Sequence, residues 1–195
     1  MRSLKLTAVA LSLIGASLAL AQTRRSERPD LDRTEEEVSI PKEAVAVLSP
    51  TKGNDVEGTL IFRQDGDILH VTGEVKGLEP GEHGFHIHEF GDLRDPDGKS
   101  AGGHFNPHGV AHGGPDDAEH HAGDLGNITA NDRGVARVDK KAEGLKLHFV
   151  IGRAIVVHGG EDDFTSQPSG DAGPRVALGV IGFANVEHAK ETRSK

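Results

Sequence analysis

Short apolar runs at close intervals constrain the fold of this chain more than any other feature of its sequence. Several of them alternate apolar with polar residues, as a half-buried strand does, and Gly, Asp, Asn or Pro separate them. No long stretch carries the helical period of an amphipathic helix. The runs are EAVAVLSP, VEGTLIFRQ, ILHVTGEVKGL, HGFHIHEF, GVARVDKK, LKLHFVIG, RAIVVHGG and VALGVIGFAN. They predict an all-β fold of about eight strands, an antiparallel sandwich or a closed barrel.

Two segments do not fit a plain barrel and predict two long loops. The first loop, residues 89–123, is rich in Gly, His, Asp and Pro and nearly empty of core-forming residues. The second loop, residues 159–175, is shorter and similar in character. A long loop without secondary structure is uncommon in a compact domain unless a function or a bound ion organises it. We therefore expect these two loops to carry the function.

The first 21 residues have the pattern of a secretory signal peptide. A cationic start precedes an apolar stretch over residues 6–20, and small residues at Ala19 and Ala21 predict cleavage after Ala21. The uninterrupted apolar run is shorter than the ~20 residues that a spanning helix needs, so we expect no stable membrane insertion after cleavage. The protein is accordingly predicted to be secreted or periplasmic.

The rest of the chain is predicted to form one domain with tails. Residues 22–41 are charged and lack periodicity, which favours a flexible linker, and residues 42–186 have the length of a single domain before a C-terminal tail at 187–195. Without the two cations of the signal peptide, 20 basic and 31 acidic side chains leave a net charge of −11. That charge argues against nucleic acid as a partner.

Two histidines stand two positions apart inside the apolar run GFHIHEF. In an extended strand, residues i and i+2 project from the same face, so His86 and His88 should point together while Phe85 and Ile87 face the core. His158 ends the run RAIVV and can close on this pair if the sheet makes the two strands neighbours. The pattern predicts a cation site at this place.

The region that follows carries more residues of the same chemistry. His104, His112 and His121 recur at gaps of eight and nine residues, and Asp124 follows three residues after the last. Imidazole and carboxylate groups separated by Gly and Pro, which let the backbone wrap around an ion, are typical of zinc or copper sites. A lone histidine is more often satisfied by a hydrogen bond, and we interpret the remaining six in that way: His70, His83, His108, His120, His148 and His188.

At this point the chain resembles a known family. Its motifs match, in order and at near-family spacing, those of the copper/zinc superoxide dismutases, in the form of secreted bacterial members, across about residues 43–185. The matching segments are GFHIHEFGD, AGGHFNP, HGGP, HHAGDLGN, VVHGGEDD and GDAGPR followed by GVIG. The resemblance implies an eight-stranded antiparallel Greek-key β-barrel with two long functional loops, and copper and zinc as cofactors.

The resemblance also implies two sets of metal ligands that share one histidine. Asp162 matches a carboxylate that links ligand histidines of the two sites, and Arg175 matches the cation that orients an incoming anion over the copper. The implied copper ligands are His86, His88, His104 and His158, and the implied zinc ligands are His104, His112, His121 and Asp124.

The implied activity is dismutation of superoxide to dioxygen and hydrogen peroxide, with Arg175 and His104 as catalytic residues and a closed, structural zinc. A copper- and zinc-binding or buffering protein outside the cytoplasm, without turnover, is the alternative. A zinc hydrolase is disfavoured because the chain has no H-E-x-x-H motif. Pairing into a homodimer stays open at this stage.

Two departures from the family pattern bear on function. Gly98 and Leu178 stand where the family's disulfide cysteines would be, so we expect metal binding to bear more of the ordering of residues 91–103. No Lys lies between His158 and Arg175, although lysines there commonly draw the anion inward in the family. Slower capture of superoxide is therefore expected.

Overall fold

The computed structural model describes residues 41–186. The predicted signal peptide, the linker up to residue 40 and the C-terminal tail lie outside these residues. No helix within 41–186 is long and apolar enough to cross a membrane. The strands are β1 (Glu43–Pro50), β2 (Glu57–Asp65), β3 (Ile68–Lys76), β4 (Gly81–Ile87), β5 (Asp124–Ala130), β6 (Val135–Glu143), β7 (Ala154–His158), β8 (Arg175–Val180) and β9 (Gly182–Phe183).

The strands close into a barrel with antiparallel pairing throughout. Eight of them form a ring in the order β2, β3, β6, β5, β4, β7, β8, β1, and β1 pairs back with β2. The short β9 pairs with β1 beyond the end of β8, so it extends the last strand rather than adding a position to the ring. The predicted all-β, eight-stranded fold is confirmed, with one extra short strand.

One predicted strand is wrong, and one strand was missed. LKLHFVIG contains a single helical turn, α1 (Leu147–Val150), which buries Leu147 and Val150 three positions apart. Its first N–H, that of Leu147, donates a hydrogen bond of 2.6 Å to Gln64 Oε1. The strand that the sequence pattern did not indicate is β5, with the sequence DLGNITA. Gly126 there has φ 76°, which interrupts the alternation that a strand normally shows.

The barrel interior places the first histidine pair. Phe85 and Ile87 are completely buried in the main core, as the alternation along β4 predicted, and Ile87 pairs with Ile155 of β7. Burial of such a side chain contributes about 1.5–3 kcal/mol to stability, so the register of β4 is strongly specified. His86 and His88 alternate with these two residues along the chain, so they must project from the outer face of the barrel.

A second, smaller apolar cluster lies apart from the main core and holds the first loop against the barrel. It joins Ala101, from the 3₁₀ turn Lys99–Ala101, to Ala154 and Val156 of β7 and Leu178 of β8. Gly98 lies beside it: a Cβ at Gly98 would be 3.3 Å from Leu178 Cδ1. The two positions that resembled disulfide cysteines are therefore neighbours, and apolar packing by Leu178 occupies the place of a cross-link.

Truncating Leu178 to alanine should loosen this attachment. We expect a loss of about 2–3 kcal/mol in the free energy of unfolding, because Leu178 is only 5% exposed, together with faster amide exchange in residues 91–103. Urea unfolding and hydrogen exchange by mass spectrometry measure both effects. Leu93→Ala is the matched control, since Leu93 lies in the same loop at 39% exposure. Equal behaviour of the two variants would contradict this account of the loop.

Candidate metal centre

Backbone pairing at the end of β4 brings the first loop onto the histidines. The Phe105 N–H donates to Ile87 O at 2.8 Å, and the Gly123 N–H donates to Phe105 O at 2.9 Å. His88 and His104 form an isolated antiparallel bridge next to this contact. The loop thus returns His104 to the outer face of the barrel, beside His86 and His88.

Four histidines converge on that face. The structure brings together His86, His88, His104 and His158, here called the first group; one ring nitrogen of each lies within 4.8 Å of the others, and all four residues are buried. His158 reaches the group because β7 pairs directly with β4, with Val156 opposite His86. The ring centroids of His86 and His104 are 4.0 Å apart.

Hydrogen bonds on the outer nitrogens fix how the imidazoles of this group are protonated. His88 Nδ1 donates to Gly102 O at 3.0 Å and His158 Nδ1 donates to Gly173 O at 3.1 Å, since a carbonyl can only accept. In the neutral rings both Nε2 atoms then carry lone pairs, yet they lie 3.4 Å from each other. Two facing lone pairs at that distance repel, and a cation between them removes the repulsion.

Each of the other two rings has a buried nitrogen that makes no hydrogen bond. His86 Nε2 lies 2.7 Å from Asp162 Oδ2, while His86 Nδ1 is buried without a hydrogen-bond partner. His104 Nε2 is likewise buried without a partner. Buried polar atoms without partners are uncommon in folded proteins and call for a ligand. The first group is therefore compatible with copper, which imidazole ligands suit.

The electrostatics of the first group favour neutral rings, the form that binds metal. Desolvation by burial is the main cause: it holds the pKa of His86 and of His88 well below the ordinary value and lowers the pKa of His158 to about 4. The neighbouring histidines lower these pKa values further. At neutral pH, protons do not compete strongly for these nitrogens.

This arrangement predicts that the stability of the metal-free protein depends on pH. His158 has a pKa of about 4 in the folded chain against 6.5 ordinarily, so between these values the unfolded chain binds more protons. Its contribution to stability is therefore complete above pH ~6.5 and is lost as the pH falls towards ~4. We expect chelator-treated protein to lose about 2 kcal/mol of unfolding free energy between pH 7 and pH 5 from His158 alone, measured by urea unfolding. Unchanged or greater stability at pH 5 would contradict the buried, neutral site.

The second group joins His104, His112, His121 and Asp124, whose ligand atoms also lie within 4.8 Å of one another. Asp124 Oδ1 is 2.7 Å from His104 Nδ1, and Oδ2 is 3.0 Å from His112 Nδ1. His121 Nδ1 is buried without a hydrogen-bond partner, 3.3 Å from Asp124 Oδ1. Three imidazoles around one carboxylate match the four-coordinate set that zinc takes in structural sites.

Two opposing effects act on the carboxylate of Asp124. Burial, the largest, favours the neutral acid, but the hydrogen bond from His104 and the His121 N–H at 2.8 Å outweigh it, and the pKa of Asp124 is lowered. Asp124 is therefore ionised at neutral pH and available to a cation. His104 belongs to both groups, with Nδ1 facing Asp124 and Nε2 facing the first group.

Asp162 lies between the two groups and contacts one ring in each. Its Oδ2 is 2.7 Å from His86 Nε2, and its Oδ1 is 2.9 Å from His112 Nε2. Its side chain is fully buried, as are those of both histidines. Such an outer carboxylate orients ligand rings and raises their basicity.

Two amide side chains that sequence reasoning missed hold this arrangement in place. Asn127 accepts from the Asp162 N–H and donates to Asp162 O, both at 2.8 Å. Gln167 makes the same pair of bonds with the backbone of His112, both at 2.9 Å. Asn and Gln are common in loops, so neither residue carries a sequence signal that could have marked it.

A pocket of about 720 Å³ opens beside the first group and is lined by His88, His104, His158 and Arg175. The guanidinium of Arg175 donates from Nη1 to Gly98 O and from Nη2 to Gly102 O. These bonds fix the guanidinium at the pocket beside the histidines. The arrangement can admit a small anion to the first group, and His121 of the histidines around Asp124 lines the same pocket.

Comparisons with known proteins agree with this geometry. The model of a family described as copper/zinc superoxide dismutase matches residues 56–181. A solved structure titled as that of the clock protein EA4 is similar, with a TM-score of 0.68 and 42% sequence identity, over 74% of this chain and 96% of that one. That title names no catalytic activity.

Proposed function

This chain belongs to the copper/zinc superoxide dismutase family, and from that premise we propose that it dismutes superoxide, with copper in the first group and zinc in the second. The observation that carries the proposal is the pocket: Arg175 stands beside inward-facing imidazole nitrogens that have no hydrogen-bond partner. A purely structural metal site would have no use for an open anion pocket.

The residues of the chain have distinct tasks in this proposal. Bound copper would supply reversible one-electron chemistry, and bound zinc would fix His104, His112, His121 and Asp124. Arg175 attracts the anion and orients it in the pocket. His104 Nε2, which would otherwise be a copper ligand, holds one proton and passes it to the reduced substrate, and water supplies the second, so that two superoxide ions and two protons become dioxygen and hydrogen peroxide.

The second candidate is a copper- and zinc-binding protein without turnover. It stays a candidate because the similar protein EA4 is named a clock protein rather than an enzyme. Pulse-radiolysis decay of superoxide, measured on protein with known copper and zinc content, separates the two. Rapid, copper-dependent decay is expected. Stoichiometric copper and zinc with no faster decay than in buffer would favour the binding protein.

We also propose that the protein works outside the cytoplasm, on the basis of the apolar stretch at residues 6–20 and the small residues before Gln22. Mass spectrometry of the protein from a secreting host should give a mature chain that begins at Gln22. A retained first segment would count against this proposal.

A further inference from the structure

Backbone hydrogen bonds surround the bridge between His88 and His104. On the barrel side, the His88 N–H donates to Ala154 O of β7 at 2.8 Å. On the loop side, the Glu89 N–H donates to Gly103 O at 2.9 Å, and the Gly103 N–H donates back to Glu89 Oε2 at 3.1 Å. Two histidines of the first group therefore lie on backbone segments that pair with each other next to the start of β7.

Arg153, the residue before β7, contacts the chain next to both of these histidines. Its Nη1 donates to the carbonyl oxygen of Glu89, the residue after His88. Its guanidinium carbon lies 3.7 Å from the ring centroid of Phe105, the residue after His104. This distance is well within the range of a cation–π interaction. One side chain thus spans the two backbone segments that carry His88 and His104.

The guanidinium of Arg153 is itself fixed at this place. Its Nε donates to Phe149 O of α1 at 2.7 Å, so the hydrogen bonds run to two carbonyl oxygens from different parts of the chain. The ring beneath it is also fixed, because Phe105 is 7% exposed and belongs to the main core. Only arginine combines a planar fork of donors with a face that stacks on an aromatic ring, whereas the ammonium of lysine is a compact point charge.

We propose that Arg153 is a positioning residue for copper, which holds His88 and His104 in register without contacting either ring. The inference rests on the proposed function, since it takes the first group as the copper site. A metal site needs its ligands held to within about 0.5 Å of their working geometry by the residues around them.

The other ligands of the second group are held by different contacts. The side chain of Gln167 binds the backbone of His112, and the His121 N–H donates to Asp124 Oδ2. Because these contacts do not involve Arg153, we expect copper binding to depend on Arg153 more than zinc binding does.

Two variants test the contacts of Arg153 separately, and one serves as a control. Arg153→Lys keeps the positive charge and an apolar stem but loses the fork and the stacking face. Phe105→Leu keeps an apolar side chain in the core and removes the ring beneath the guanidinium. Arg137→Lys is the matched control, because Arg137 lies at an exposed position of β6.

The test measures the copper and zinc affinities of each protein by competition with chelators, and the electron paramagnetic resonance spectrum of bound copper(II). We expect Arg153→Lys to bind copper about tenfold more weakly, at the lower end of the ~10- to 100-fold that the loss of an outer partner causes, and zinc within about threefold of the wild type. The spectrum should change as well, since it follows the geometry of the ligands. Phe105→Leu should act in the same direction, and Arg137→Lys should match the wild type in all three measurements.

A role in stability alone would give a different result. Urea unfolding of the metal-free proteins measures that role directly. If Arg153→Lys lowered the free energy of unfolding but kept the copper affinity and the spectrum of the wild type, the inference would be overturned. Should Arg153→Lys not fold, wild-type copper affinity and spectrum in Phe105→Leu would overturn it equally.

These readouts do not depend on turnover, so the two proposals can fail separately. If the wild type bound copper and zinc without dismutation while Arg153→Lys bound copper more weakly, the proposed function would fail and the positioning role would stand. If dismutation were rapid but the copper sites of the two proteins were equal, the positioning role would fail alone.

Discussion

Replacing His88 by alanine is expected to abolish dismutation while the chain keeps one zinc ion. His88 belongs to the first group only, and its ring contacts His158 and Gly102 rather than Asp162. The first group would retain three imidazoles with a gap on the pocket side. We expect the rate to fall by more than the ~10- to 100-fold that the loss of an outer partner typically causes.

Decay kinetics together with metal analysis decide this prediction. His70→Ala is the matched control, because His70 lies on β3, outside both groups. That variant should keep both metals and the wild-type rate. Full activity in His88→Ala, or loss of zinc together with copper, would show that the two groups do not divide the metals as proposed.

Replacing Asp162 by asparagine should weaken the binding of both metals, because this one residue contacts a histidine of each group. An amide offers one acceptor oxygen where the carboxylate offers two, so either His86 or His112 loses its partner. We expect the affinity for copper and for zinc to fall, by about 10- to 100-fold for the more affected metal. Competition with chelators of known affinity measures the two constants separately.

Asp163→Asn is the control for this substitution. Asp163 is the next residue along the chain, and its carboxylate caps the Thr165 and Ser166 N–H groups instead of a histidine. It should leave both affinities within about twofold, since its carboxylate binds groups of its own loop, in Thr165 and Ser166, and orients no ring of either group. An effect of Asp163→Asn as large as that of Asp162→Asn would mean that the loop, rather than the carboxylate between the groups, determines metal binding.

The sequence could predict the elements that obey a simple period. Alternation along β4 placed Phe85 and Ile87 in the core, and the same rule put His86 and His88 on the opposite face. That His158 joins them depends on the pairing of β7 with β4, two strands that are far apart in sequence. The convergence of the groups was therefore conditional on a topology that only the family resemblance supplied.

Other features follow from tertiary context and have no local signature. The sequence did not indicate β5 because Gly126, with its positive φ, breaks the alternation of the strand. It predicted a strand in place of α1 because one helical turn is too short to show the helical period. That Lys99 and Arg175 line one pocket depends on how a loop folds back across the barrel. Such placement depends on hydrogen bonds to backbone carbonyls, which composition and spacing do not report.

The contact between Leu178 and the Gly98 turn has a consequence for the conditions that the protein tolerates. A chain without cysteine offers a reductant such as dithiothreitol no bond to break, and apolar packing does not depend on redox potential. The attachment of this loop can therefore form in a reducing compartment as readily as in an oxidising one, without an oxidising partner. The thermal midpoint of the metal-free protein should accordingly be the same with and without thiol reagents.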